Sequence, residues 1–131
     1  IEYYEKSLAI KLKVHGDQHP SMGTVYNNLG SVWSDKGEYD KAIEYYEKSL
    51  AINLKVRGKE HPEVTKLMFR TAQCYQELAE NDKALINYLQ CAELCKQRLG
   101  KDDETTQEAV AAARALAKTL GRTAELPVWM G

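Results

Sequence analysis

The chain has 131 residues, 44% of them hydrophobic, with 3 Pro and 8 Gly; it is long enough for one packed domain and too poor in Pro and Gly for a disordered or turn-rich β chain. Its 18 basic and 19 acidic residues leave a net charge of −1, which excludes the general electrostatic attraction used to bind nucleic acid or an anionic membrane. No run reaches the roughly 18 apolar residues of a membrane-spanning helix, and Ile1-Glu2-Tyr3-Tyr4 lacks the charged-then-apolar start of a signal segment.

The first stretch, 1–14, begins without Met and inside a helical pattern, and reads as the start of a piece cut from a longer protein. Laid over 43–62, residues 1–20 agree at 16 of 20 positions, the mismatches being Lys11/Asn53, His15/Arg57, Asp17/Lys59 and Gln18/Glu60. The offset is 42, and a fainter third copy follows, in which Tyr46 becomes Tyr88, Gly58 becomes Gly100 and Asp40-Lys41-Ala42 becomes Asp82-Lys83-Ala84. Repeats at such a period signal a stack of supersecondary units. Over 21–36, Val25, Tyr26, Leu29, Val32 and Trp33 step by three and four, the stripe of an amphipathic helix that Gly37 ends. A second helix is predicted over 39–56, with Ala42, Ile43, Tyr46, Leu50 and Leu54 on one face and Gly58 as its stop. His61-Pro62 marks the next start, because Pro fits only the first turn of a helix. The offset then predicts helices over 63–78, 81–99 and 103–120, with Gly37 matched by Ala79 and Gly121. The last helix turns Ala109, Val110, Ala113, Leu116, Ala117 and Leu120 inward and reads as a cap. No segment alternates with period two, so no sheet is expected. The array is divided into a half repeat 1–20, full repeats 21–62 and 63–104, and a capping helix 105–121, followed by a tail 122–131. The apolar Leu126-Pro127-Val128-Trp129-Met130 is expected to dock on the last helix.

Reactive chemistry is scarce. The three cysteines, Cys74, Cys91 and Cys95, are too few for a disulfide framework and read as small buried hydrophobes in a reducing cytosol. His19 and His61 stand one repeat apart at the same turn, and a shared metal would need both within about 2 Å of one ion; they are read as turn residues. No phosphate loop, nucleophile elbow or zinc-type His-Glu motif occurs. Glu44 and Glu47 are expected to pair with Lys41 and Lys48 along an exposed face. No catalytic residue, metal or cofactor is assigned.

The full copy reads Tyr26, Leu29-Gly30, Trp33, Gly37, Tyr39, Ala42, Tyr46, which resembles the tetratricopeptide repeat in the spacing of its aromatic, Leu-Gly and Ala positions. Tyr stands for the first Trp, Ser49 stands where the pattern favours Ala, and the late Pro comes eight residues late, at Pro62 rather than at Leu54. The extra residues lengthen each helix by about one turn. This long form, with Tyr-Asn-Asn-Leu-Gly and a Gly-Xaa-Xaa-His-Pro turn, is similar to the repeats of kinesin light chain and nephrocystin-3-like proteins. HEAT-type repeats have periods near this length, but the Leu-Gly, Ala and aromatic spacing favours the tetratricopeptide reading. The resemblance implies an all-α, right-handed solenoid of antiparallel helix pairs and a cytoplasmic interaction scaffold or cargo adaptor. A partner peptide would lie in the concave groove.

By the same analogy the inner wall carries Thr24, Asn27, Asn28, Ser31, Ser34 and Asp35, then Lys66, Phe69, Arg70, Gln73, Gln76 and Glu77, then Glu108, Ala111, Ala112, Ala115 and Lys118. The peptide-binding set is Thr24, Asn27, Asn28, Ser31, Lys66, Phe69, Arg70 and Gln73. Asn costs roughly half a kcal/mol relative to Ala inside a helix, so paired Asn27 and Asn28 ask for a reason; an amide can hold a peptide backbone by both donor and acceptor. Lys66 and Arg70, four apart, form a basic spot next to Asn28 that suits an acidic partner. The competing expectation is self-assembly into homo-oligomers, with Tyr4, Leu8 and Leu12 of the unpartnered first helix recruiting another copy end to end.

Overall fold

The computed structural model describes residues 2–16 and 19–130. Its helices are α1 (Glu2–His15), α2 (Pro20–Asp35), α3 (Tyr39–Arg57), α4 (Pro62–Glu77), α5 (Asn81–Leu99) and α6 (Glu104–Leu120), with no strand among the described residues. The expected helices are all present within two residues at each end; Ile1, Asp17 and Gln18 of the first half repeat lie outside the described residues. Packing is sequential, each helix against the one before and the one after, the arrangement of an all-α solenoid.

Two devices set the repeat. The helix starts use His19 and His61 as caps: the Nδ1 of each accepts the backbone N–H two residues on, from Ser21 and Glu63, at 3.1 Å. Pro20 and Pro62 then occupy the first turn, where no N–H is missed. Asp103 performs the same service for α6, accepting from the Thr105 N–H at 2.9 Å. Such caps contribute about 1 kcal/mol each. The histidines are thus helix-start residues, in keeping with the turn reading. The tight turns between paired helices need a left-handed residue, supplied by Gly37 (φ 80°), Ala79 (φ 59°) and Gly121 (φ 67°).

Inside each pair the fit depends on small residues. A Cβ on Gly30 would lie 2.6 Å from the Tyr46 ring, so the ring rests directly on the α2 backbone. In the next copy Ala72 and Tyr88 take these places, and the hydroxyl partner changes, Tyr46 pairing with Ser31 at 3.0 Å and Tyr88 donating to Gln76 at 2.9 Å. Ser49, expected to break the pattern, is buried and donates to the Gly23 carbonyl at 2.7 Å. Cys91, one repeat on, reaches the Thr65 carbonyl at 3.3 Å. Both bonds tie a second helix to the first turn of its first helix.

Some expectations change. Leu54 is 40% exposed, whereas Ser49, Ile52 and Asn53 are buried, because α3 is gripped from both sides and its buried face is wider and rotated relative to a one-sided stripe. Glu44 pairs with Lys48 at 3.7 Å, but Glu47 accepts from the Tyr75 hydroxyl at 2.8 Å and Lys41 sits 4.1 Å above the Trp33 ring. The tail does dock. Two 3-10 turns (Thr123–Glu125 and Val128–Met130) carry Leu126, Trp129 and the buried Met130 onto a core that includes Ala109 and Val110. Arg114 of α6 donates to the Met130 carbonyl, and Lys96 lies 4.7 Å over the Trp129 ring. Leu126 and Met130 stand two offsets after Ala42 and Tyr46. The tail therefore fills, in abbreviated form, the place of a second helix.

Candidate functional site

The first helices α2, α4 and α6 line up along one wall, and three hollows follow it. One, of about 280 Å³, is bounded by Thr24, Asn27, Asn53, Arg57 and Glu63. The largest, about 540 Å³, lies where Ser31, Ser34 and Asp35 of α2 face Arg70, Gln73, Gln76 and Glu77 of α4 over the rings of Tyr46 and Tyr88. The third, about 430 Å³, joins Lys66, Phe69, Arg70 and Gln73 of α4 to Thr105, Glu108 and Ala109 of α6, with Cys91 and Cys95 at its base. Arg70 and Gln73 line both larger hollows and so form the ridge between them.

Seven of the eight expected contact residues border these hollows: Thr24 and Asn27 the first, Ser31 the second, Lys66 and Phe69 the third, Arg70 and Gln73 the second and third. Asn28 is exposed and lines none of the three. The two amides therefore have separate situations. Asn27 accepts a hydrogen bond from Arg70 Nη1 at 2.8 Å, bridging α2 to α4. The basic spot thus adjoins Asn27 rather than Asn28. Lys66, its side chain 61% exposed, reaches Glu63 at 3.7 Å. Exposed pairs of that kind are worth only about 0–1 kcal/mol, so Lys66 is readily released.

The wall is mixed in charge. Asp35 and Glu77 border the largest hollow, and Glu108 faces Lys66 and Arg70 across the third. Burial pushes the Tyr46 hydroxyl above its ordinary pKa and that of Tyr88 up to about 12, so both rings stay neutral and offer a hydroxyl and an apolar face at neutral pH. Cys74 is likewise raised by burial. Cys91 is raised by its hydrogen bond to Cys95 and by burial, and the three thiols are buried and free. Among the described residues no group of three or more His, Cys, Asp or Glu could hold a metal ion, and no helix is long and apolar enough to cross a membrane.

Tyr46, Tyr88, Asn53 and Arg57 were missing from the expected site because they belong to second helices. Their signal was available in the repeat, since Tyr46 and Tyr88 are one offset apart and Asn53 and Arg57 are two of the four positions at which the near-identical segments differ.

The sequence pattern of the tetratricopeptide repeat matches residues 1–52 and 24–97. The chain belongs to the tetratricopeptide repeat family. Proteins of this family serve in general as scaffolds for protein–protein interaction, and the family is generally non-enzymatic. Among solved structures, BtubC (BKLC) from P. vanneervenii superposes with a TM-score of 0.83 at 18% identity over 94% of this chain and 49% of that one. The nearly identical TPR-like repeats described as kinesin light chain from Podosopora anserina give 0.81 at 22% identity over 95% of this chain and 59% of that one. At such identities the likeness is one of fold, and the tetratricopeptide repeat chain spans between about half and three fifths of those structures. No curated protein sequence matches it.

Proposed function

We propose that the wall formed by α2, α4 and α6 holds an extended or helical segment of a protein partner, with Thr24, Asn27, Ser31, Lys66, Phe69, Arg70 and Gln73 as contacts and Asn28 outside the hollows. The observation that carries this reading is the pair of larger hollows meeting at the Arg70–Gln73 ridge, with the Arg70 guanidinium held in place by Asn27, which borders the third hollow. A guanidinium fixed by one bond keeps further donors for a ligand carboxylate or carbonyl, and less rotamer freedom is lost on binding. An acidic residue of the partner suits the end near Lys66 and Arg70, beside the ring of Phe69. The neighbouring hollow, flanked by Asp35 and Glu77, disfavours a uniformly acidic segment, so the partner segment is acidic at one place rather than throughout. Free thiols suit a reducing compartment and support the cytoplasm as the setting.

A peptide array presented to the intact protein supplies a ligand for titration calorimetry. Lys66→Glu is expected to weaken binding about tenfold and to flatten its dependence on salt, since like charges at an interface cost over a kcal/mol. Lys83→Glu, on the second helix α5, serves as the comparison and leaves affinity unchanged. Equal affinity for the wild type and Lys66→Glu refutes the acidic preference. Equal affinity for the wild type and an Arg70→Glu variant of unchanged helicity refutes the groove itself.

A further inference from the structure

Cys91 and Cys95 stand four apart on α5, so both sulfurs lie on one face, and they form the floor of the 430 Å³ hollow between α4 and α6. Both are buried, and the two thiols interact with one another while Cys91 also donates to the Thr65 carbonyl at 3.3 Å. One offset earlier the same two places hold Ser49 and Asn53, a polar pair in which the Asn53 amide donates to the Ser49 carbonyl at 2.9 Å and to its hydroxyl at 3.2 Å. The packing bond to the first helix is kept from Ser49 to Cys91, so it does not account for the second sulfur. Spacing decides what a pair of sulfurs can do there. Side chains four apart on a helix have their Cβ atoms about 5–6 Å apart, whereas a disulfide needs about 3.5–4.5 Å, so direct linkage would require α5 to distort. A bridging ion makes no such demand. Two metal–thiolate bonds, each about 2.3 Å long at zinc, reach between sulfurs 4 Å or more apart in an undistorted helix.

We infer that Cys91 and Cys95 bind one soft monovalent metal ion of the copper(I) class, held between the two sulfurs and reached through the hollow above them. Thiolates select such ions over hard cations, and copper(I) is content with two donors. Zinc asks for four, and among the described residues no group of three or more His, Cys, Asp or Glu is available to it. Both sulfurs bind as thiolates, their protons pass to solvent, and the ion with its two thiolates carries one negative charge. The surroundings suit that charge. The hydrogen bond from Cys91, then Thr65 and the Arg98 guanidinium, hold the Cys95 thiol below its ordinary pKa although burial opposes them. Arg98 Nε is itself buried with no hydrogen-bond partner, and Lys66 and Arg70 line the hollow above. The site lies beneath the wall and does not depend on a peptide occupying it.

The test is a titration of the full chain with copper(I), kept reduced in the absence of oxygen and delivered from a chromophoric chelator whose colour reports transfer. One ion per chain is expected. The double variant Cys91→Ser with Cys95→Asn restores the pair of the preceding copy, keeps the helical circular dichroism of the wild type and should take no ion from the chelator. Cys95→Ala, which leaves the bond from Cys91 to Thr65 in place, should lose the ion as well and stands in if the double variant folds poorly. Cys74→Ser, at a thiol that faces Ser34 across the stack, should retain it. Failure of the wild-type chain to take copper(I), uptake that survives loss of Cys95, or uptake lost with Cys74→Ser overturns the proposal. So does zinc held as tightly as copper(I), since the pair would then be drawing on donors beyond its two sulfurs.

Discussion

Ala79 occupies the turn between α4 and α5 at φ 59°, where the other two copies have Gly37 and Gly121. The three turns have the same hydrogen bonds. The residue at the turn donates three back, from Gly37 to Ser34, from Ala79 to Gln76 and from Gly121 to Lys118, at 3.0–3.1 Å; the next residue donates five back, to Trp33, Tyr75 and Ala117, at 2.8–2.9 Å. Only the side chain differs, so the pair Ala79→Gly and Gly37→Ala isolates the cost of the methyl group. A left-handed backbone costs an L-residue about 1–2 kcal/mol, while glycine returns about 0.5–1 kcal/mol of this through its freer unfolded chain. Nothing lies within 4 Å of a Cβ built on Gly37, so no clash adds to the cost there. Ala79→Gly should therefore stabilise by about 1 kcal/mol and Gly37→Ala should destabilise by about the same, each moving the melting temperature by roughly 3–5 °C in opposite directions. Urea unfolding followed by circular dichroism, with unchanged slope, measures both. Loss of stability on Ala79→Gly, or no effect of Gly37→Ala, would refute the assignment of these turns.

Three further outcomes follow from the packing. Gly30→Ala brings a methyl group against the Tyr46 ring and should cost about 1–3 kcal/mol by chemical denaturation; a neutral result would contradict the close approach of the ring to the α2 backbone. Ser49→Ala removes a buried hydrogen bond and should cost about 1–2 kcal/mol, whereas Ser49→Cys should remain close to wild type because Cys91 makes the equivalent bond; equal losses in both would contradict this. Deleting residues 126–131 strips Leu126, Trp129 and Met130 from the end of the stack and should cost about 3 kcal/mol, read as a lower melting temperature.

The fold was readable because the 42-residue offset copies both the apolar stripes and the punctuation, His-Pro at one end and Gly at the other. Leu54 was misplaced because a stripe of one face assumes one neighbour, and α3 has two. The site was half readable. Thr24, Ser31, Phe69 and Gln73 follow from the resemblance to the repeat, which says which face of each first helix lines the wall. The bond from Arg70 to Asn27 does not, since it joins residues 43 apart through the stacking of α2 on α4, and nothing in either helix alone distinguishes Asn27 from Asn28. Ser49 looked like a departure from its family's pattern until a carbonyl on the facing helix gave its hydroxyl a use. The tail was legible in arithmetic, with Leu126 and Met130 in the register of Ala42 and Tyr46, although Pro127 hides any helical signal.

Selection from a randomised peptide library against the wild-type chain, repeated against Arg70→Glu, bears most directly on the groove. The account predicts a consensus in the wild-type pool with a carboxylate at one position, and loss or inversion of that position in the variant pool. The same consensus from both proteins would contradict it.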